Sequence, residues 1–263
     1  EINAPAFGGQ TQLQPAEEVK KRVERYGALS ETLLSMVVVG CYWGNKETTR
    51  LWADSLQRIA NLAEGGGGYE YLLKLRRYPA LLMMYGAGLA AIAAGNFSTF
   101  AAIVTQPKAK DDQHKDQPIC SVVYPIAVLE RDIGTLLPGL ERRHTPVSDL
   151  LYTNMREPLR QFLPRDEDYQ DVFDRFEYLL GLVHADLNRW QVKNGWGGPV
   201  GCFAWRGRHF HQEGRTSKKI DEEIAADGED WPLLKAGLFG GSLERLKTAK
   251  SNFDGFINGI PFY

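Results

Sequence analysis

The stretch "YPALLMMYGAGLAAIAAGNFSTFAAIV", residues 78–104, carries no formally charged side chain, and its reading decides the fold. It could be a membrane span, a buried helical hairpin or an apolar box around a ligand. A helix needs about 20 apolar residues to cross a hydrocarbon core. Residues 80–94 supply fifteen, and Gly95, Asn96, Phe97 and Ser98 then interrupt them with turn chemistry. Gly86, Gly88 and the many alanines give a small-residue surface, suited to close helix contact. The expectation is two short helices folding back at Gly95-Asn96 inside a water-soluble helical body.

Upstream, Pro15 followed by Ala16, Glu17 and Glu18 suits a helix N-terminus. Val19, Val23, Tyr26, Leu33 and Val37 then recur with helical spacing, predicting a helix over 16–40 that "GCYWGN" ends. A second helix should start near Lys46, capped by Asn45, and bury Trp52, Leu56, Ile59 and Ala63. Gly65 to Gly68 break the chain as a linker, a third helix follows Tyr69, and Pro79 opens a new helix or kinks the running one. The hairpin resembles a tetratricopeptide (TPR) unit. Met84, Ala87-Gly88, Ala91, the Gly95-Asn96-Phe97 turn and Phe100-x3-Val104 fall at the repeat's offsets, with Gly88 and Ala91 admitting a close partner helix. Phe100 stands where the repeat has alanine, its proline is displaced to Pro107, and no second copy follows at a 34-residue period.

The polar, turn-rich residues 105–118 read as a mobile loop or subdomain boundary. This divides the chain into helical subdomains at 1–107 and 119–263, with one continuous domain as the alternative. "ICSVVYPIAVLERDIGTLL" begins like a strand and continues like a helix. Thr145-Pro146 opens a helix that Pro158 limits or kinks. The clearest helix runs from Asp166, with Tyr169, Val172, Phe173, Phe176, Leu180, Val183, Leu187 and Trp190 on one face. A short strand or hairpin is expected around 201–205 and three further helices near 217–226, 231–238 and 242–257. The fold class is therefore mainly α: an irregular multi-helix bundle with a TPR-like helical hairpin and a small β element near 200–210.

Composition narrows the function classes. The chain has 263 residues, 43% hydrophobic and 24% charged, as in soluble globular proteins. A formal net charge of -2 argues against a strongly basic nucleic-acid binder, though it leaves room for a local patch. Cys41, Cys120 and Cys202 form no CxxC pair, which favours a reducing, cytoplasmic setting without a zinc ribbon or disulfide scaffold. The first residues lack the pattern of a signal peptide. The chain opens on Glu1 and not on methionine, from which we expect part of a longer protein.

"RGRHFHQEGR" is the densest functional-looking segment. Arg206, Arg208 and Arg215 with His209 and His211 suit a phosphate or an acidic partner, because guanidinium forks match oxyanions. Two histidines at a two-residue spacing on a strand would also share a face as metal ligands, but no third ligand has a convincing spacing. Arg76 and Arg77 adjoin the uncharged hairpin and offer either a solvated, snorkelling face or a basic recognition patch. Asp166, Asp168 and Asp171 lack the glycine and terminal glutamate of a calcium loop and suit a helix start. His184 reads as a core or interface histidine, and the six tryptophans as core. There is no P-loop, dinucleotide or serine-nucleophile motif, so no cofactor and no catalytic residue is indicated.

Across residues 26–104 the chain resembles helical regions towards the C-terminus of large multidomain bacterial proteins of antiphage defence or signalling. The resemblance is carried by "LRRYPALLMMYGAGLAAIAAGNFSTFAAIV". It implies a sensor, partner-binding or oligomerisation module, so a protein partner or self-association is expected; the 206–211 segment adds nucleic acid as a further partner class, and the short apolar run speaks against a membrane. An apolar partner segment would dock in a groove beside the hairpin, and 206–211 would add charge complementarity. The competing class is an enzyme or binding domain for a phosphorylated or nucleic-acid ligand, with Arg206, Arg208, His209 and His211 in its site.

Overall fold

The computed structural model describes residues 15–62, 67–187, 198–209 and 215–260. Helix α1 spans Pro15–Tyr42 and α2 spans Lys46–Asn61. Asn45 caps α2 as expected, its side chain accepting from the Glu47 and Thr48 amides while the Thr48 hydroxyl accepts from the Asn45 amide. This reciprocal pairing satisfies amides that would otherwise lack partners at the helix start. Helix α3 is Glu70–Leu75. Pro79 lies in the first turn of α4, Tyr78–Ala93, where its missing N–H costs nothing. Gly95 then adopts φ +67°, and Asn96 caps α5, Phe97–Thr105. The uncharged segment is thus two helices folded back at Gly95-Asn96.

Residues 78–92 are all buried. Because α4 has no polar face, it must be enclosed on every side, and α1, α2, α5, α8 (Pro146–Leu159) and α9 (Asp166–Leu187) enclose it. Among the described residues, the flanks where a partner groove was expected are occupied by the chain's own helices. Gly88 also serves a different neighbour than expected. A Cβ there would lie 2.2 Å from the Phe176 ring of α9, so the close approach is to α9. At the hairpin tip the Asn96 side chain donates to the Gly44 carbonyl (3.2 Å), and the Thr49 and Thr99 hydroxyls pair at 2.8 Å. Two inter-helix turns are thereby fastened side by side. Among the described residues no helix is long and apolar enough to cross a membrane.

Within residues 105–118, expected as a mobile loop or subdomain boundary, residues 108–118 form an anchored β-hairpin. Strands β1, Lys108–Lys110, and β2, Asp116–Pro118, pair antiparallel. The Asp111 carboxylate accepts from the Gln113 and Lys115 amides at 2.9 Å each and shapes the turn. Asn61 donates to the Lys108 carbonyl (2.9 Å), the Lys108 amide donates to Gln57 (2.8 Å), and Arg77 donates to the Lys110 carbonyl (2.6 Å). Beyond it come a 3-10 turn at Ile119–Ser121 and the short helices α6, Pro125–Val128, and α7, Arg131–Gly134. The strand-like start of that segment is thus helical, its valines filling the core.

The β element expected at 200–210 is a helix, α10, Phe203–His209. Phe203 and Arg206 use helical spacing to reach α9, which sets this segment as a helix and not the strand or hairpin expected there. Helices α11, Arg215–Asp227, α12, Pro232–Lys235, and α13, Leu243–Gly259, complete the chain. The α13 ring of Phe253 sits where a Gly181 Cβ would be, 2.2 Å away. Arg175 of α9 forms a two-pronged ion pair with Glu223 of α11. The apolar core runs continuously from Val19 to Phe253.

The glycines supply a test of opposite signs from one chemical change. Gly88→Ala should destabilise the fold by about 1–3 kcal/mol through overpacking against Phe176, exceeding the ~1 kcal/mol gained in helix propensity. Gly27→Ala, where a Cβ meets nothing within 4 Å, should stabilise by about 0.5–1 kcal/mol. Urea unfolding of both variants checks the pair, and stabilisation by Gly88→Ala would contradict the α4–α9 contact.

Candidate functional site

Helix α9 presents an apolar stripe to α4, and one carboxyl lies within it. Glu177 is four residues after Phe173 and three before Leu180, in the centre of that stripe, and it is buried. Its oxygens are reached from three other parts of the chain. The Ser148 hydroxyl of α8 and the Tyr85 hydroxyl of α4 donate to Oε1 at 2.6 and 3.0 Å. The Cys202 amide donates to Oε2 at 3.1 Å and to the Ser148 Oγ at 2.8 Å, and the thiol approaches Oε2 at 3.7 Å. A Cβ on Gly201 would fall 2.0 Å from Oε2, so only glycine lets the backbone come this close.

Burial pushes the Glu177 pKa up to about 7, against the opposing pull of the Ser148 hydrogen bond and the Arg206 charge. The same desolvation raises the Cys202 thiol well above its ordinary range, so the thiol is held neutral. Asp174, one turn earlier on α9, is raised to about 6, desolvation outweighing its partner Arg206.

Arg206 connects this buried group to the surface. Its Nη2 donates to Asp174 Oδ1 (2.6 Å) and to Cys202 Sγ (2.7 Å), and its guanidinium lies over the Tyr152 ring at 4.3 Å. Its Nε is buried without a hydrogen-bond partner among the described residues. On its outer side Arg206 lines a cavity of about 670 Å³ between α1, the 137–143 segment, α8 and α10. Lys20 and Glu24, Arg143 and Asp149, and Trp205 complete the wall, with Tyr152 and Leu140 among its apolar parts. Asp149 accepts from the Thr145 hydroxyl (3.1 Å), which in turn accepts from the Trp205 indole N–H (3.0 Å). Burial raises the Asp149 pKa. Arg143 lies 3.9 Å from Asp149 and 5.8 Å from the Trp205 ring centroid. Arg143 and Arg206, with Lys20, and the rings of Trp205 and Tyr152 thus line one space of the size small-molecule sites have, roughly 300–1,000 Å³.

Of the arginines and histidines singled out by sequence, Arg206 alone is placed in this wall with its side chain described. Arg208 and His209 belong to α10, but their side chains lie outside the described part, and His211 lies outside the described residues altogether. Arg76 and Arg77 do not line the cavity. Arg76 is buried, not solvated, and Arg77 holds β1. His184 is a core histidine: its Nδ1 lies 3.3 Å from the Cys120 carbonyl, and burial lowers its pKa to about 4. Asp166, Asp168 and Asp171 pair with Arg156, Arg165 and Lys219 at 2.6–2.7 Å, and no metal-binding group of His, Cys, Asp and Glu occurs among the described residues. Trp231 is core, whereas Trp43 is exposed, and Trp190 and Trp196 lie outside the described residues. Sequence reading missed Glu177, Ser148, Cys202, Arg143 and Asp149. Only Glu177 left a signal, as an acid inside an apolar arc.

Comparison of the chain with protein families, curated proteins and solved structures returned no match.

Glu177 sets a pH dependence with a defined sign. The unfolded chain loses this proton near 4.5 and the folded chain near 7, so the native state binds more protons in between. Its contribution to stability is complete below the lower value, falls as pH rises and levels off above the higher one. Glu177→Gln keeps a neutral side chain of the same shape. Relative to the wild type it should gain about 1–3 kcal/mol of stability on going from about pH 5 to about pH 8. Urea unfolding at both values reads this difference, and a variant offset that does not change with pH would refute the raised pKa.

Proposed function

We propose that the chain is a helical sensor module whose recognition site is the cavity between α1, α8 and α10, and that its ligand is a small organic anion with a flat ring. The observation that carries this reading is the convergence of Arg143, Arg206 and Trp205 on one cavity of about 670 Å³. Guanidinium groups match carboxylate and phosphate oxygens with two parallel N–H donors. Arg206 lines the cavity, and Arg143 is half-exposed and only loosely paired with Asp149 at 3.9 Å. Trp205 and Tyr152 offer ring surface beside these cations, and Asp149 offers an acceptor for a donor on the ligand. A cavity of this size takes a nucleotide or an aromatic acid, while a nucleic-acid duplex is too large for it.

The sensing part of the proposal follows from Arg206, which touches both the cavity and the buried acids. An anion that draws its guanidinium outward weakens the hold on Asp174 and on Cys202 behind it, so binding is felt inside the α8–α9–α10 packing. This supports a receptor role over turnover, because the inner carboxyl and thiol are sealed from the cavity by Arg206 itself.

Titration with inorganic phosphate, adenosine monophosphate and benzoate, followed by tryptophan fluorescence and calorimetry, tests the proposal. Saturable binding of at least one ring-bearing anion is expected, weakened by about tenfold or more in Arg143→Glu, the size of a lost charge-assisted contact of roughly 1.5–3 kcal/mol. Arg58→Glu on the far helix α2 should leave it unchanged. No saturable signal from any of the three at millimolar concentration would overturn the reading.

A further inference from the structure

The described surface has one concentration of exposed large apolar side chains, on α1 and α2. Leu29, Met36, Val39 and Trp43 are exposed on or just beyond α1, and Leu51 and Leu62 on or just beyond α2. Trp43 is 75% exposed, and its amide still donates to the Val39 carbonyl, continuing the helical turn. Their spacing is ordered. Leu29, Met36 and Trp43 recur every seven residues, with Thr32 and Val39 between them, the pattern of a seam that receives another helix.

The two helices share this face. Leu33 and Val37 of α1 meet Trp52, Ser55 and Ile59 of α2 in a seam that is almost filled. Leu29 and Met36 lie four and three residues from Leu33, and Leu51 and Leu62 lie four and three residues from Ser55 and Ile59. Residues at these spacings are neighbours on a helix surface, so the exposed groups border the seam from both sides. From Thr32 to Asn45 the sequence holds no charged residue. A half-exposed helix without charge is unusual, since a solvated face normally carries it.

We infer that this α1–α2 face is the self-association surface of the chain, and that its occupant is the same face of a second copy related by a two-fold axis near Met36. Three observations select a second copy. The six side chains expose on the order of 700 Å², close to the roughly 800 Å² per partner that a stable interface buries. An antiparallel pairing centred on Met36 sets Leu29 of each copy against Trp43 of the other, so the tryptophan, the residue type most often dominant in interfaces, meets an aliphatic partner. Along α1 it buries no charge, because the stretch from Thr32 to Asn45 has none. At both rims it brings Glu24 and Arg25 of one copy beside Lys46 and Glu47 of the other, residues of opposite sign. The inference does not rest on the proposed ligand, although Glu24 belongs both to this rim and to the cavity wall.

Sedimentation velocity of the full chain between about 1 and 100 µM tests it. A reversible monomer–dimer equilibrium is expected. Met36→Glu and Trp43→Glu should each raise the dimer dissociation constant by about thirtyfold or more, as loss of an interface hot spot does. Their helical circular dichroism and melting temperature should stay those of the wild-type monomer, since both side chains are exposed. Lys247→Glu on α13 should leave the equilibrium unchanged. A wild-type chain that is strictly monomeric at 100 µM, or a dimer that survives both glutamates, would overturn the inference.

Discussion

Water exclusion around α4 is the constraint from which the architecture follows. A sixteen-residue helix made of alanine, glycine, leucine and methionine, with two tyrosines, a proline and an isoleucine, has no side to offer solvent. It is also too short to find that environment in a bilayer. Five helices therefore pack round it, and their order in sequence is secondary to that requirement. The small residues decide how near each neighbour comes. At Gly86 the place of a Cβ is taken by Leu34, and at Gly88 by Phe176, so α1 and α9 are both drawn against the central helix.

Such enclosure is hostile to polar groups, which makes the Glu177 cluster informative. A carboxyl in that setting is tolerated because each oxygen accepts hydrogen bonds and because the group can remain neutral. Serine, tyrosine and a backbone amide supply those bonds from α8, α4 and the turn before α10. The result is a polar knot that orients the helices relative to one another more tightly than apolar packing alone does. Arg206 closes the knot towards solvent. Its position in the wall of a cavity is the structural basis for reading that cavity as a recognition site.

Most of the longer helices were legible because each left a local signature. Asn45 before Lys46 announced a cap, Pro79 a first turn or a kink, Gly95-Asn96 a reversal, and the spacing of Tyr169, Phe173, Phe176 and Leu180 a buried face. What escaped was set by tertiary contacts. Residues 105–118 look like a loose connector, and only Asn61, Gln57 and Arg77 convert them into a fastened hairpin. Phe203 and Arg206 fit a strand as well as a helix until their partners on α9 are known. The cavity unites Lys20, Arg143, Asp149 and Arg206, and no spacing in a linear chain links those positions. Arg206 was singled out for its basic neighbourhood, whereas its placement depends on Asp174, Cys202 and Tyr152.

The sharing of atoms around Glu177 has a consequence for how the site can be dissected. Ser148 Oγ accepts from the Cys202 amide and donates to the carboxyl, while the same amide also reaches the carboxyl directly. Cys202 Sγ in turn receives a donor from Arg206. Truncating any one of these residues alters the hydrogen bonding of the others, so single substitutions will each report much of the same loss. Their energies cannot be summed; only double-mutant cycles, which isolate the coupling within each pair, apportion the stability that this cluster confers.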